Sequence, residues 1–230
     1  MQIIHLSQQA DREAWLEARR TLITGSKAKG VKRLSRGADR TPAGFWELVS
    51  EHLSIAKDGE PERDRGQRLE NQALAATAKE YGIVFNIDPG MWISDEDTSI
   101  AVSPDGAEPG NKPTYAGEVK CLDSKNHIKA IVMDMRAKKK DDYNPFDSLK
   151  IDAKMDFQDQ VLQYFVVNEL LEKLYFTLHD DRMAFDNLVN YVIVINRSDV
   201  QDLIDKKITE EKSILEEVRA LVKELTDGQL

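Results

Sequence analysis

Two acidic residues and one lysine lie close together in a part of the chain that otherwise has the composition of β-strands. Asp105 ends the run SPD, and Glu118 and Lys120 stand two residues apart in TYAGEVKCL. Side chains two residues apart share one face of a strand, so we expect Glu118 and Lys120 side by side, with Val119 opposite. If the preceding strand pairs with this one, Asp105 at its end lies close to both.

This cluster has two interpretations. In the first, the lysine compensates two carboxylates that are costly to bury, and the group is a structural ion-pair cluster. In the second, Asp105 and Glu118 supply oxygen ligands to a hard divalent cation, while Lys120 orients or activates an attacking water and stabilises charge on a phosphoryl oxygen. The second interpretation is the chemistry of phosphodiester hydrolysis, and the spacing alone leaves both open.

The composition limits the class of protein. The chain has 230 residues, 41% hydrophobic and 32% charged, which predicts a single globular domain over residues 1–230. No apolar run approaches the roughly 18 residues of a membrane span, and the N-terminus lacks the pattern of a secretory signal. With Cys121 as its only cysteine, the chain forms no internal disulfide. We therefore expect a soluble cytoplasmic protein.

Reactive and aromatic side chains elsewhere are assigned to packing. Cys121 is expected to be a strand residue in the core rather than a catalytic thiol. Trp15, Trp46 and Trp92 are expected to anchor the core or helices rather than stack on bases. The chain contains no nucleophile elbow, Walker loop or dinucleotide-binding glycine motif, so acyl transfer and nucleotide hydrolysis lack their usual marks.

The charge is unevenly distributed. The net charge of -9 argues against bulk attraction to nucleic acid. However, the segment from Arg19 to Arg40 has no acidic residue before Asp39, and a second basic cluster follows at 138–140. One basic face would then bind phosphates, although a solvated surface remains the alternative. The basic residues of the first segment are Arg19, Arg20, Lys27, Lys29, Lys32, Arg33, Arg36 and Arg40.

The segments that must position these residues are predicted from hydrophobic periodicity, caps and glycines. A helix is predicted at about 7–20 with Ser7 as its cap, and the segment 24–34 is predicted to be a turn that opens a second, basic helix. Further helices are predicted at 42–56, at 64–81 with Gly82 as its end, and at 124–138, 152–171 and 198–225. Strands are predicted within 90–97, 98–106, 114–122, 173–179 and 190–196, the first two as a hairpin. This order predicts an α/β fold with a mixed central sheet flanked by helices.

Four short segments together carry a family resemblance. Asp105, a loop and then Glu118-Val119-Lys120 resemble the PD-(D/E)xK nuclease signature. With RRTLITGS after Trp15, GQRLENQA and FQDQVLQY, they follow the order and spacing of the YqaJ-like viral recombinase (phage lambda exonuclease) family. The resemblance covers roughly residues 12–168. The loop between Asp105 and Glu118 is longer than usual, 138–149 looks like an insertion, and the C-terminal helix matches no family motif.

The resemblance implies a restriction-endonuclease-like core and a role for each matching residue. Asp105, Glu118 and the Val119 carbonyl match metal ligands, and Lys120 matches the catalytic lysine. Glu70 resembles the helix-borne acid that completes the site, with an exposed helix acid as the alternative. Gln158 and Gln160 match the QxQ helix motif, in which the amide contacts DNA or a water, the alternative being a polar helix edge. A 5'-phosphate and DNA-binding surface is implied for Arg19, Ser26, Ser103, Lys27, Lys29, Lys32 and Arg33.

The resemblance also implies an activity and partners. It predicts a nuclease dependent on Mg2+, with Mn2+ as an alternative and one or two ions per site, that digests linear double-stranded DNA from the 5' end and leaves 3' overhangs. It further implies a homotrimeric ring and a single-strand annealing partner in phage-type recombination, in the cytoplasm of a bacterial host. The other readings are a different PD-(D/E)xK endonuclease or nickase, and a catalytically silent DNA-end-binding module.

Overall fold

A computed structural model of the chain describes residues 1–5, 11–19, 22–31, 64–122, 124–152, 155–183 and 185–226. The predicted helix over 42–56, with Trp46, lies outside these ranges. The predicted helix cap Ser7 and the basic residues Lys32 and Arg33 lie outside them as well. In the described part of the chain, no helix is long and apolar enough to cross a membrane.

Strands of the described residues form two sheets. The first contains β1 (Gln2–Ile4), β2 (Met91–Ile93) and β3 (Ala101–Val102), all antiparallel. The second has the order β4 (Gly106–Ala107), β5 (Tyr115–Lys120), β6 (Lys173–His179) and β7 (Asn190–Asn196). Strands β5 and β6 run parallel, and the other pairs are antiparallel. The predicted mixed α/β architecture is therefore confirmed.

Helices cover these sheets and connect their strands. They are α1 (Arg12–Arg19), α2 (Asp64–Tyr81), α3 (Ser124–Ala137), α4 (Gln158–Val167), α5 (Asp186–Val189) and α6 (Gln201–Leu225), with 3₁₀ turns at Ala28–Val31, Pro145–Leu149 and Arg197–Asp199. Helix α2 packs on β5, β6 and β7, while α4 lies between α6, β3 and the first 3₁₀ turn. Helix α4 therefore touches elements at both ends of the chain.

Several element boundaries match the periodicity. Helix α2 ends where Gly82 adopts a positive φ of 65°, a conformation that suits glycine at a helix C-terminus. The predicted hairpin is present as the antiparallel pair β2 and β3. The predicted strands 173–179 and 190–196 coincide with β6 and β7.

Other boundaries differ from the prediction. The strand expected over 98–106 is split: β3 ends at Val102 in one sheet and β4 starts at Gly106 in the other. Pro104 lies in the break, where it has no N–H to continue a ladder. Helix α4 begins at Gln158 rather than 152, because Lys150 and Asp156 form an isolated antiparallel bridge ahead of it. In the first basic segment, the described part after the turn is a 3₁₀ turn rather than an α-helix.

The core joins the two sheets through α4. Trp92, Tyr164 and Phe176 are fully buried and belong to one apolar cluster. Trp15 is buried on α1. The core placement of Trp15 and Trp92 is therefore confirmed. Cys121 is exposed, so its expected core position is wrong: β5 ends at Lys120, and the chain leaves the sheet before Cys121.

Candidate active site

The β4–β5 pair brings the two acids of the sequence motif together. Asp105 directly precedes β4, and Gly106 pairs with Gly117 of β5. The backbone N–H of Val119 donates a 2.7 Å hydrogen bond to Asp105 Oδ2. Because the N–H and C=O of one strand residue point to the same edge, the Val119 carbonyl faces the Asp105 side of β5.

Two glycines allow helix α2 to pack closely on strands β4 and β5. A Cβ atom at Gly117 would lie 2.8 Å from Leu74 Cδ2 of α2, and one at Gly106 would lie 3.0 Å from the same side chain. Real side chains do not tolerate such contacts without displacing a neighbour. Glycine at both positions therefore lets α2 lie directly over the strands that carry Asp105 and Glu118.

Glu118 is the centre of the hydrogen-bonded group. Its side chain is buried, and Lys120 Nζ approaches Oε1 at 2.5 Å. Gln160 Nε2 of α4 donates to the same oxygen at 2.6 Å. The Tyr164 hydroxyl donates to Oε2 and lies 3.3 Å from the Ser103 carbonyl. The contact between Glu118 and Lys120 agrees with the predicted period of two.

Burial and like charge perturb the acids and their neighbours. Burial, with repulsion from Glu118, raises the pKa of Asp105 well above its usual value, and Lys120 only partly offsets this. Burial would lower the pKa of Lys120, but the Glu118 and Asp105 carboxylates outweigh it and raise that pKa. Burial and Glu118 also raise the pKa of Tyr164. The lysine is therefore cationic, and the tyrosine remains a hydrogen-bond donor.

Glu70 lies on α2, above the same strands. Its half-buried side chain raises the pKa of Asp105 and that of Lys120 through its charge, so it lies within electrostatic reach of both. Asp105, Glu118 and Lys120 thus lie together, and the charge of Glu70 acts on Asp105 and Lys120 from α2. A region with this excess of negative charge favours a cation.

The residues expected to bind a terminal phosphate converge next to this group. The Arg19 guanidinium stacks on the Trp15 ring at 4.1 Å from its centroid, and it donates to Ser26 Oγ at 3.1 Å. Burial lowers the pKa of Arg19, while the nearby Glu118 and Asp105 carboxylates act in the opposite direction. A guanidinium held by an indole is an anchored binding group for an anion.

The segment containing Ser26 lies directly against α4 and β3. A Cβ at Gly25 would meet Val102 Cγ2 at 3.2 Å and Gln160 Cγ at 3.3 Å. The Ser103 hydroxyl is buried and has no hydrogen-bond partner among the described residues. Arg19, Ser26 and Gln160 therefore lie close together beside Glu118, and the Ser103 carbonyl lies next to the Tyr164 hydroxyl.

The other predicted residues lie at different places. Gln158 faces the turn before α4, because its Nε2 donates to the Phe146 carbonyl at 3.2 Å. Lys27 directly follows Ser26, and Lys29 lies in the 3₁₀ turn Ala28–Val31. Lys138 of the second basic cluster forms a 2.8 Å ion pair with the buried Asp134, which gives it a structural partner.

The donor set fits a hard divalent cation. Among the described residues, no three His, Cys, Asp or Glu side chains are grouped so that they alone would hold an ion. Asp105 and Glu118 supply two carboxylates, and the Val119 carbonyl on the same edge is a third oxygen. Mg2+ binds proteins through one or two carboxylates and keeps several waters, so this small set is sufficient.

The sequence patterns did not predict that Tyr164 contacts Glu118. It follows Gln160 by four residues, and side chains four apart lie on one face of a helix. The helical spacing in FQDQVLQY therefore contained the signal, but a tyrosine in an apolar run is usually a core residue. Here its ring is buried and its hydroxyl reaches Glu118.

Comparison with known proteins identifies related sequences and folds. A sequence model of the YqaJ-like viral recombinase domain matches residues 14–169. No curated protein matches the sequence. The chain resembles the crystal structure of an alkaline exonuclease, LHK-Exo, from Laribacter hongkongensis, with a TM-score of 0.70 and 23% identity over 94% of this chain and 96% of that one.

Two further structures share the fold. LHK-Exo in complex with dAMP matches with a TM-score of 0.69, 23% identity and coverage of 94% of this chain and 96% of that one. A phage-related exonuclease from Haemophilus somnus 129PT matches with a TM-score of 0.56, 17% identity and coverage of 91% and 96%. At these identities, the similarity establishes the fold.

Proposed function

The chain belongs to the YqaJ-like viral recombinase domain family, and on this premise we propose that it is a Mg2+-dependent exonuclease. Its substrate would be linear double-stranded DNA, digested from 5' to 3' to leave 3' single-stranded overhangs for recombination. The observation that carries the proposal is the convergence of Lys120, Gln160 and Tyr164 on Glu118, beside Asp105.

The ion site would lie where β4 and β5 meet, at Asp105 and Glu118. Asp105, Glu118 and the Val119 carbonyl would hold Mg2+, or Mn2+ in its place, and Glu70 would add charge for a second ion or a water. A bound divalent ion supplies Lewis acidity at the phosphoryl oxygen. Gln160 and Tyr164 hold the Glu118 carboxylate in one orientation, which a metal ligand requires.

Lys120 provides the positive charge that acts on the reacting groups. Its ammonium lies against Glu118 and is cationic, since the neighbouring carboxylates raise its pKa. In the reaction, it would donate hydrogen bonds to the attacking water and to the scissile phosphate, where negative charge develops. A carboxylate of the site would accept the proton from that water, and the oxygen that leaves when the P–O bond breaks would take a proton from solvent.

End recognition would come from the region around Arg19. Its guanidinium, the Ser26 hydroxyl and the unpartnered Ser103 hydroxyl are the donors that a terminal phosphate accepts. A terminal 5'-phosphate is close to a dianion, whereas an internal phosphodiester has one charge, so this pocket would favour phosphorylated ends. Lys27 and Lys29, with Lys32 and Arg33 farther along, would contact the DNA backbone.

The family resemblance extends the proposal to assembly and context. We place this chain in a homotrimeric ring around DNA that cooperates with a single-strand annealing protein in phage-type recombination. The setting would be the cytoplasm of a bacterial host of a phage or prophage. Light scattering of the pure protein tests the assembly: a mass of three chains supports the ring, and a monomer contradicts it.

The substrate form distinguishes the proposed activity from its alternatives. Purified protein with Mg2+ is incubated with linear and with covalently closed duplex DNA of the same sequence. We expect loss of the linear form only, with mononucleotide products. Cutting of the closed circle would indicate an endonuclease or nickase, and binding without any product would indicate a silent DNA-end-binding module.

A further inference from the structure

Two buried charges on the C-terminal helix require an explanation that the family motifs do not give. Lys207 and Glu211 are one helical turn apart on α6, with Lys207 Nζ 3.2 Å from Glu211 Oε1. Their exposures are only 6% and 1%. Burying an ion pair often costs more than the pair returns, and apolar residues of similar volume would pack at least as well.

The pair extends into a network that reaches helix α4. Lys207 Nζ lies 3.7 Å from Asp159 Oδ1, and Gln163 Nε2 donates to Glu211 Oε2 at 3.1 Å. Asp159 and Gln163 are themselves buried. We call Lys207, Glu211, Asp159 and Gln163 the buried network. Two of its members flank Gln160, which contacts Glu118.

The buried network also holds the segment that carries Ser26. Gln163 Nε2 donates to the Ile23 carbonyl at 3.2 Å, and Lys207 Nζ donates to the Ala28 carbonyl at 3.5 Å. These two carbonyls lie on either side of Ser26 in the chain. The network therefore joins one wall of the proposed phosphate pocket, residues 23–28, to the other wall, helix α4.

A second set of contacts, made by Arg219 of α6, also holds residues 23–28 in place. Arg219 of α6 donates to Asp97 Oδ1 at 2.6 Å and to Ser99 Oγ at 2.9 Å. The Ser99 carbonyl in turn accepts a 2.8 Å hydrogen bond from the Ile23 N–H. Helix α6 thus constrains residues 23–28 both through Asp97 and Ser99, which lie between β2 and β3, and through α4, although the matched family domain ends at residue 169.

We propose that the buried network is a positioning device for DNA-end recognition, which makes Lys207 and Glu211 specificity-determining residues for 5'-phosphorylated ends. The inference rests on the proposed exonuclease function. Hydrogen bonds to backbone carbonyls are directional, and apolar packing is not, so the charged groups fix the position of residues 23–28 relative to Gln160. Binding groups must be held within about 0.5 Å of their productive geometry to be effective.

The test compares two chemically identical double substitutions on α6. The test variant is Lys207→Met with Glu211→Gln. The control is Lys206→Met with Glu210→Gln, one position earlier on the same helix, where Lys206 is exposed and Glu210 half-buried. For each protein with Mg2+, the initial rate at subsaturating DNA is measured on linear duplex with 5'-phosphate ends and with 5'-hydroxyl ends.

The ratio of the two rates is the deciding quantity. A loss of folded protein lowers both rates equally and leaves the ratio unchanged, whereas a displaced pocket lowers only the rate on phosphorylated ends. We expect the test variant to lose about tenfold in this ratio, the effect of one weakened charged hydrogen bond. The control should keep the ratio of the unsubstituted protein.

Each outcome bears on a different claim. If the unsubstituted protein has a ratio of one, the proposed phosphate pocket itself fails. If it prefers phosphorylated ends and the test variant keeps that preference, the positioning role is wrong and the network only stabilises the fold. Should the double variant not fold, Glu211→Gln alone, which preserves side-chain volume and an oxygen acceptor, is judged by the same ratio.

Discussion

The Tyr164 hydroxyl provides a test of how the chain orients its proposed metal ligand. Replacing Tyr164 by Phe keeps the buried ring and removes the donor to Glu118 Oε2. Lys120 and Gln160 both donate to the other oxygen, Oε1, so they do not replace it. Because burial and Glu118 raise the pKa of Tyr164, the hydroxyl donates at every pH used for an assay.

The size of the effect follows from this geometry. A hydrogen bond to a charged group contributes about 1.5–3 kcal/mol. Loss of a partner that orients a metal ligand typically costs about 10–100-fold in metal affinity or activity. We therefore expect Tyr164→Phe to raise the Mg2+ concentration needed for half-maximal digestion by about tenfold or more, with high Mg2+ restoring much of the rate.

The assay is a Mg2+ titration of digestion of phosphorylated linear duplex. Tyr143→Phe is the matched control, since Tyr143 donates at 2.8 Å to Asp134, another buried carboxylate, which belongs to a separate cluster. The Tyr143→Phe protein should be less stable than the unsubstituted protein but should need the same Mg2+ concentration for digestion. An unchanged rate and Mg2+ requirement in Tyr164→Phe would refute the reasoning, because Glu118 would then need no orientation or bind no ion.

Three further outcomes follow from the structure. Lys120→Ala should abolish digestion and retain Mg2+ binding in calorimetry, because the ammonium contacts Glu118 rather than supplying a ligand; a fully active variant would restore the structural interpretation of the cluster. Asp134→Ala should lower the free energy of unfolding at pH 7 by about 3 kcal/mol. Burial would raise the pKa of Asp134, but hydrogen bonds from a lysine and two tyrosines outweigh it and lower that pKa. The stability that Asp134 contributes should therefore be lost as pH falls below about 4, and the unfolding free energies of the two proteins should converge. A difference in unfolding free energy that stays constant with pH would contradict this. Substituting Lys27 and Lys29 by Gln should weaken DNA binding and reduce its salt slope by about one per lost phosphate contact, and unchanged anisotropy titrations would assign both lysines to a solvated surface.

The central pair of the site could be predicted because it depends on local geometry. The period of two along a strand places Glu118 and Lys120 on one face, and their 2.5 Å contact agrees with it. The approach of Asp105 depends only on the neighbouring strand pair. Val119 packs with Ala73 and Leu74 on the opposite face, as the alternation requires.

Features that depend on distant elements could not be predicted in this way. The lysine run at 138–140 suggested a basic surface, but Lys138 is paired with Asp134, which is buried partly by contact with Tyr191 of β7. The burial of Lys207 is set by α4, far away in sequence. The sequence shows where charged side chains occur along the chain, whereas tertiary packing decides which of these side chains form ion pairs.

The break at Pro104 shows a different limit. Apolar alternation over 98–106 favours one strand, and a single proline redirected the chain from the first sheet to the second. The proline signal was present in the sequence, but its consequence depends on which strands are available for pairing on each side. Cys121 was also misplaced: β5 ends at Lys120, although β6 continues to His179, one residue beyond its last pair with β5.

The most direct measurement is Mg2+-dependent release of mononucleotides from linear duplex with phosphorylated 5' ends, for the unsubstituted protein and for Asp105→Asn. Asparagine keeps the shape of the side chain and its oxygen acceptor for the Val119 N–H, and removes the charge that the ion requires. We predict release by the unsubstituted protein and none by the variant, with both folded. Equal release by the two proteins would contradict a nuclease centre at Asp105 and Glu118.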